Sequence, residues 1–298
     1  MEPYKESNHP ALYYQDMLSD ERRMARFRMA IDAVVRSGDV VVDLGTGLGV
    51  LAIMAARAGA EHVYAVDVRP QIMPIAERIV AANGLSERIT LICSDAMDVE
   101  LPQQVDLIVN ELIGDFGTDE NIYECVRTVA DRYLKDGGRV MPQRLSTHIV
   151  GVTYDGEVRG VFGGDVHDMD LSSALTDAFT PAAIMHGLQR QPTELTEVSV
   201  VERIEFGTGM PERAYEYSLA LPVVRSGDLQ GFVGFFDCEL APEISLDNYP
   251  CYPGCHWVNW NWPVTPVVRV EKGQKINGML ITPKMTVASC WSWEWMVG

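Results

Sequence analysis

Between residues 10 and 36 the apolar positions Leu12, Met17, Leu18, Met24, Phe27, Ile31 and Val34 recur at three-and-four spacing with charges between them, which predicts one helix. The pattern then changes period. VVVDLG is a short apolar run of the kind that forms a buried strand. VLAIMAARAGA returns to the helical repeat and is stopped by Gly59, a residue that ends helices because it accepts left-handed backbone. HVYAVD predicts a second strand and PQIMPIAERIVAANGL a second helix of this unit, ending at Asn83 and Gly84. ITLICSDA and VDLIVNEL continue as strands, and NIYECVRTVADRYL is a helix before Gly137 and Gly138. Strands alternating with helices predict a parallel, doubly wound sheet covered on both faces, a Rossmann-like α/β unit.

Near Pro142 the helical period disappears. STHIVGVTY, VSVVERIEF, RAYEYSLALPVV, QGFVGFFDCEL, VTPVVRVEKGQ, INGMLITP and TVASCWSWEWMV are alternating or β-rich runs separated by turn residues, which predict an antiparallel sandwich or barrel. The expected division is therefore 1–141 for the α/β unit with its N-terminal helices and 142–298 for an all-β, barrel-like unit. Residues 160–190 interrupt the strand series: MDLSSALTDAF and PAAIMHGL read as two short helices, either an interaction arm or a plain surface excursion.

Charge narrows the partners. In 298 residues, 24 Lys+Arg against 42 Asp+Glu give a formal net charge of −18, which repels nucleic-acid backbones and anionic membranes and favours cationic substrates, unless it only keeps the surface soluble. Charges through the first thirty residues leave no apolar leader, and no apolar run has the length of a membrane span, so the expected location is cytoplasmic. Six irregularly placed cysteines then read as free thiols. CYPGCHW brings Cys251, Cys255 and His256 together, but its CxxxC spacing has no second pair to complete a zinc site, and no metal is expected.

Two motifs carry chemistry. VVDLGTGLGVLAIMAARAGAEHVYAVD places Asp43, Gly45, Gly47 and Gly49 at a strand-to-helix turn and Asp67 at the end of the next strand. Such glycines let backbone approach a ligand, and a carboxylate after the second strand suits the two hydroxyls of a ribose. A dinucleotide fingerprint would have glycine where Val50 stands, and Asp43 would repel a pyrophosphate but suits an ammonium. An adenosine at one end and an amino acid at the other describe S-adenosylmethionine, with S-adenosylhomocysteine as its product. The plainer alternative is a turn whose glycines only pack. Asp95, Ala96 and Met97, after the next strand, suit an adenine ring or form a solvated turn.

In the second motif, NELIGDFGTDENI, Glu111 and Glu120 stand nine positions apart after a strand, so one loop can aim both carboxylates into one pocket. The matching guest is a guanidinium: planar, permanently charged, with donors in a fork that carboxylates meet bidentately. Two solvated loop carboxylates are the alternative.

Together with YYQDMLSDERRMARFRMAI near the start and CHWVNWNWPV in the β half, these blocks resemble the protein arginine methyltransferases over nearly the whole chain. The resemblance implies that Arg23 pairs with the carboxylate of the cofactor, Asp67 holds its ribose, and Glu111 and Glu120 hold the substrate guanidinium. It implies that Asp20 and His256 meet across the domain boundary, that His256 or one glutamate takes the proton, and that Trp257 walls the substrate channel. Tyr14 is placed among the substrate contacts and Met17 near the methyl acceptor, where methionine goes with monomethyl or asymmetric dimethyl products. Leu112, Gly117, Thr118 and Ile122 depart from the commonest form of the loop, which leaves substrate size and methyl number open. Duller roles exist for single residues: a surface charge for Arg23, packing for His256 and Met17, a turn cap for Asp20. The resemblance further implies a homodimer in which the 160–190 arm of one subunit rests on the cofactor domain of the other. The chain is close to a two-domain core without recruiting modules, which favours a small or peptide substrate: free arginine, a related guanidino compound or peptidyl arginine. Remaining alternatives are methyl transfer to an unrelated amine or hydroxyl, and an inactive interaction protein that keeps the fold.

Overall fold

A computed structural model describes residues 10–154, 165–166, 169–170, 183–282 and 291–298. The chain opens with a 3-10 turn, Pro10–Tyr14, then α1 (Gln15–Ser19) and α2 (Glu21–Val34). The single helix expected over residues 10–36 is thus broken. Asp20 has extended backbone (φ −73, ψ 91) and caps α2, its carboxylate accepting the Arg23 amide at 2.9 Å, so the chain turns a corner where its periodicity runs straight on.

The α/β alternation follows: β1 (Val40–Leu44), α3 (Val50–Ala58), β2 (His62–Asp67), α4 (Met73–Ala82), β3 (Ile89–Cys93), β4 (Val105–Asn110), α5 (Ile122–Tyr133) and β5 (Leu134–Met141). The five strands are parallel in the order β3-β2-β1-β4-β5. Every residue of β1 is buried because the strand lies inside the sheet with helices over it, which is why it reads as an unbroken apolar run. The strand order reverses at β1, between β2 and β4, and the crevice beyond their carboxyl ends is where such sheets bind ligands. α5 turns Ile122, Tyr123, Val126, Val129 and Ala130 inward, one face at helical spacing.

From β6 (Arg144–Thr153) the sheets are antiparallel: β7 (Asp165–Val166), β8 (Met169–Asp170), β9 (Ile184–His186), β10 (Thr193–Glu194), β11 (Ser199–Glu205), β12 (Glu216–Pro222), β13 (Gly227–Ala241), β14 (Ile244–Asp247), β15 (Asn259–Val270), β16 (Lys275–Ile281) and β17 (Ser292–Val297). Among the described strands no ring closes into a barrel. One sheet runs β10-β6-β13-β15-β9, with β11 also on β6 and β14 on β13, and a second runs β12-β16-β17.

The helical reading of 160–190 lies mostly outside the described residues, and where it can be compared it is corrected. Asp165–Val166 and Met169–Asp170 pair as a hairpin, and Ile184–His186 is a strand laid along β15. That edge of β15 offers its backbone to Ile184–His186, and Asn261 Nδ2 adds a bond to the His186 carbonyl, so ladder pairing outweighs the helical spacing of PAAIMHGL.

The core of the parallel half continues into the β half through Leu145, Ile204, Phe236, Cys238, Leu246 and Trp257, so the two halves share buried surface. A second core surrounds Phe116 with Trp260, Trp262, Trp291 and Phe232. Among the described residues no helix is long and apolar enough to cross a membrane.

Candidate functional site

Three acidic side chains gather at the carboxyl ends of β1, β2 and β4. Asp43 is 1% exposed; its Oδ2 accepts the Thr46 hydroxyl at 2.6 Å and the Ala52 amide at 3.0 Å, which ties it to the first turn of α3. Burial pushes its pKa up to about 7 against those two hydrogen bonds, and the charges of Asp67 and Glu111 push the same way. Its Oδ1 is buried and has no hydrogen-bond partner among the described residues. An orphaned carboxylate oxygen inside a glycine turn suits a cationic nitrogen. Gly45, Gly47 and Gly49 all have positive φ, and a Cβ on Gly45 would meet Leu112 Cδ2 at 2.6 Å and one on Gly47 the Tyr14 ring at 2.5 Å.

Asp67 ends β2 and accepts the amides of Gly47 and Arg69, each at 2.9 Å. The Arg69 guanidinium folds back on both its oxygens at 3.1 and 3.2 Å and lies 5.1 Å from the Tyr14 ring centre. Tyr14 packs with Leu48 and Ile72, and Met17 packs against that cluster. Asp95 is exposed and accepts the amide of Met97, closing its own turn beside half-buried Ala96.

Glu111 follows β4, and its carboxylate is joined to Arg23 Nη2. Burial raises its pKa above the ordinary carboxylate, while the charge and hydrogen bond of Arg23 oppose the shift. Arg23 also donates Nη1 to the Met17 carbonyl at 2.8 Å, and its guanidinium lies 5.4 Å from the Trp257 ring centre. Its Nε is buried with no hydrogen-bond partner among the described residues. Asp20, 1% exposed, joins the halves: Oδ2 accepts the Tyr252 hydroxyl at 2.6 Å and the His256 backbone amide at 3.0 Å. Asp20 therefore meets the backbone of His256, whose residue is exposed. Trp257 is 3% exposed and donates Nε1 to the Ile113 carbonyl at 2.9 Å.

The loop from Glu111 to Glu120 is fastened to the β half at Ile113, Asp115 and Thr118 and braced by bonds within itself. Asp115 accepts the Val258 amide on Oδ1 and the Asn248 side chain on its carbonyl, each at 2.8 Å. Gly114 and Gly117 exchange backbone bonds at 3.0 Å, and Asp119 folds over Gly114 to accept the Phe116 amide at 2.9 Å. Glu120 is exposed. Glu111 is thus drawn inside by Arg23, whereas Glu120 stands at the outer end of a pinned loop.

Sequence spacing missed Tyr252, Arg69, Phe116, Asp115 and Thr118. Tyr252 sits within CYPGCHW, where the cysteines draw attention first; Cys251 spends its thiol on Asn259 Oδ1 at 3.2 Å, and among the described residues no three His, Cys, Asp or Glu groups gather as a metal site.

The arrangement can hold an adenosine-bearing cation near Asp43 and Asp67 and a second cation beside Glu111. Comparison with known proteins bears on which. Residues 28–140 match the family model described as ribosomal protein L11 methyltransferase (PrmA). Protein arginine N-methyltransferase 1 of Saccharomyces cerevisiae is 28% identical over 286 residues, covering 90% of this chain and 79% of the relative. An arginine N(omega)-methyltransferase of Streptomyces achromogenes is 28% identical over 269 residues, 87% of this chain and 73% of the relative. Among solved structures, a Trypanosoma brucei PRMT1 enzyme-prozyme heterotetrameric complex with AdoHcy aligns at TM-score 0.81 and 22% identity over 99% of this chain and 94% of its own. Arabidopsis thaliana protein arginine methyltransferase 10 aligns at TM-score 0.78 and 24% identity, over 96% and 92% of the two chains.

Proposed function

We propose that this chain, similar over about 90% of its length to protein arginine N-methyltransferases, transfers a methyl group from S-adenosylmethionine to a terminal nitrogen of an arginine guanidinium. The observation that carries this reading is Glu111: an acidic side chain drawn into the interior, charge-paired with Arg23, on the strand end beside Asp43 and Asp67. Asp43 would hold the cofactor's ammonium, Arg23 its carboxylate, Asp67 its ribose, with Gly45 and Gly47 admitting it and Asp95, Ala96 and Met97 flanking the adenine. When bound, that cofactor supplies an electrophilic methyl on a sulfonium with a neutral leaving group.

The chain's own residues address the acceptor. A protonated guanidinium has no available lone pair on the nitrogen that must react. Carboxylates at two edges draw its positive charge toward the nitrogens they hold and leave the third able to donate electrons. Burial raises the pKa of Glu111 while the charge and hydrogen bond of Arg23 oppose the shift, and the raised pKa suits Glu111 to take the departing proton. Glu120 holds the other edge, Trp257, Tyr14 and Met17 line the approach, and Asp20 fixes the segment that carries His256. Alignment of donor and acceptor supplies most of the rate, for which effective molarities are worth roughly 7–11 kcal/mol.

Free arginine and peptidyl arginine present the same headgroup. The acceptor is free arginine, a small guanidino compound or peptidyl arginine, a reading supported by the likeness to both the Streptomyces and the yeast enzymes. Mass spectrometry of products from free L-arginine and from arginine-rich peptides, with Glu111→Gln as control, decides between them and counts the methyl groups. No transfer to either ends the reading. A second acceptor class, another amine or a hydroxyl, is favoured by the exposure of Glu120; it requires normal turnover in Glu120→Gln.

The working protein is a homodimer with the 160–190 arm as contact, a cofactor unit over 1–141 and a substrate unit over 142–298, in the cytoplasm, where its free thiols fit a reducing medium. Light scattering that returns the mass of one chain would remove the dimer.

A further inference from the structure

Behind the substrate loop lies a buried polar cluster that none of the roles above uses. Arg213 and Glu202, whose side chains are 2% and 6% exposed, pair in a two-pronged contact: Nε to Oε2 at 2.9 Å and Nη2 to Oε1 at 2.8 Å. Nη2 also donates to Thr118 Oγ1 at 2.8 Å, and the Thr118 hydroxyl donates to Glu202 Oε1 at 2.5 Å. Tyr217 adds its hydroxyl to Glu202 Oε2 at 2.6 Å, and Glu124, in the first turn of α5, accepts from Arg213 at 3.4 Å. Four elements thus converge on one guanidinium: the loop, α5, β11, and the segment from Arg213 into β12. Burial works against the charge of Arg213, yet the hydrogen bonds and charge of Glu202 raise its pKa above the ordinary guanidinium.

A buried ion pair of this kind adds little net stability relative to well-packed apolar side chains; what it offers is a defined geometry, because its bonds are directional and share the same few atoms. Thr118 is the informative member. It is fully buried two residues before Glu120, and it follows Phe116, which is fully buried among Trp260, Trp262 and Trp291 at ring distances of 5.5–5.6 Å. The aromatic contact is greasy and tolerant of small shifts, whereas the Thr118 hydroxyl is held by directed bonds. Thr118 therefore anchors the loop to the β half two residues before exposed Glu120.

We propose that Arg213, through Glu202 and Thr118, is a positioning residue for the guanidinium site, setting where Glu120 stands relative to Glu111. This rests on the functional reading above and extends it to residues that touch neither cofactor nor substrate. Cofactor binding, built on Asp43 of β1 and Asp67 of β2, does not depend on the cluster; acceptor binding does.

Thr118→Val keeps volume and removes the hydroxyl, and Thr118→Ser keeps the hydroxyl. With Thr118→Val, S-adenosylhomocysteine affinity by calorimetry stays within about twofold while KM for the arginine substrate rises about tenfold, since a displaced Glu120 weakens its hold on the guanidinium. Thr118→Ser restores KM. Tyr217→Phe, at a half-buried side chain, covers the case in which Thr118→Val fails to fold, with KM rising about threefold for the loss of one bond to Glu202. An active wild type with unchanged KM in these variants, or with KM and S-adenosylhomocysteine affinity failing together, overturns the positioning role. A wild type that binds S-adenosylhomocysteine and methylates neither free nor peptidyl arginine overturns the functional reading instead.

Discussion

Asp43 illustrates how a single residue's chemistry depends on what surrounds it. Burial raises its pKa to about 7, so in the cofactor-free protein it is largely protonated below neutrality. A cationic nitrogen at Oδ1 needs the ionised form. Below pH 7, binding must therefore expel a proton, and S-adenosylhomocysteine affinity should weaken about tenfold per unit of falling pH and level off above pH 7. Calorimetry across that range checks it, and Asp43→Asn should flatten the profile at low affinity. Gly47 makes the complementary point about space. Its φ of +55, and a Tyr14 ring that would lie 2.5 Å from any Cβ placed there, leave no room for alanine, so Gly47→Ala should lower stability by about 1–3 kcal/mol in a urea titration and displace Tyr14.

At the scale of elements, the corner at Asp20 does more than start a helix. The same carboxylate caps α2 and accepts from Tyr252 and His256 on the other half, so one side chain couples the N-terminal helices to the segment before β15. Asp20→Ala should cost about 0.5–2 kcal/mol for the cap, and Tyr252→Phe about 1 kcal/mol for its hydrogen bond. Because both act on one carboxylate, a double-mutant cycle read by denaturant unfolding should return a coupling of at least about 0.5 kcal/mol; additive effects would dissolve the link. The periodicity of residues 10–36 was legible as helix and a turn cap at Asp20 was open, but its ties to Tyr252 and His256 were not, because those residues lie more than two hundred positions away. The strand at Ile184–His186 was illegible for a related reason: its backbone partner, β15, is contributed by residues far along the chain.

For the molecule as a whole, a net charge of −18 creates a field that concentrates cations around it. KM for a cationic guanidino substrate should rise several-fold between about 20 and 300 mM salt as that field is screened, while a neutral urea analogue used as a competitor shows no such trend. Equal salt dependence for both would assign the charge to solubility alone. The parallel and antiparallel halves were readable from local sequence because each period, 3.6 or 2, is a property of neighbouring residues and of the side to which they must turn apolar groups. The residue types of the candidate site are local features of the same kind: glycines before α3, an acid ending β2, two glutamates on one loop. What only the tertiary structure decided is their inequality. Glu111 is inside because Arg23, 88 positions earlier, meets it there, whereas Glu120 is exposed two residues after Thr118, which is bound to Arg213 and Glu202 in the other half. Burial and charge pairing are settled by contacts between segments distant in sequence, and no local pattern contains them.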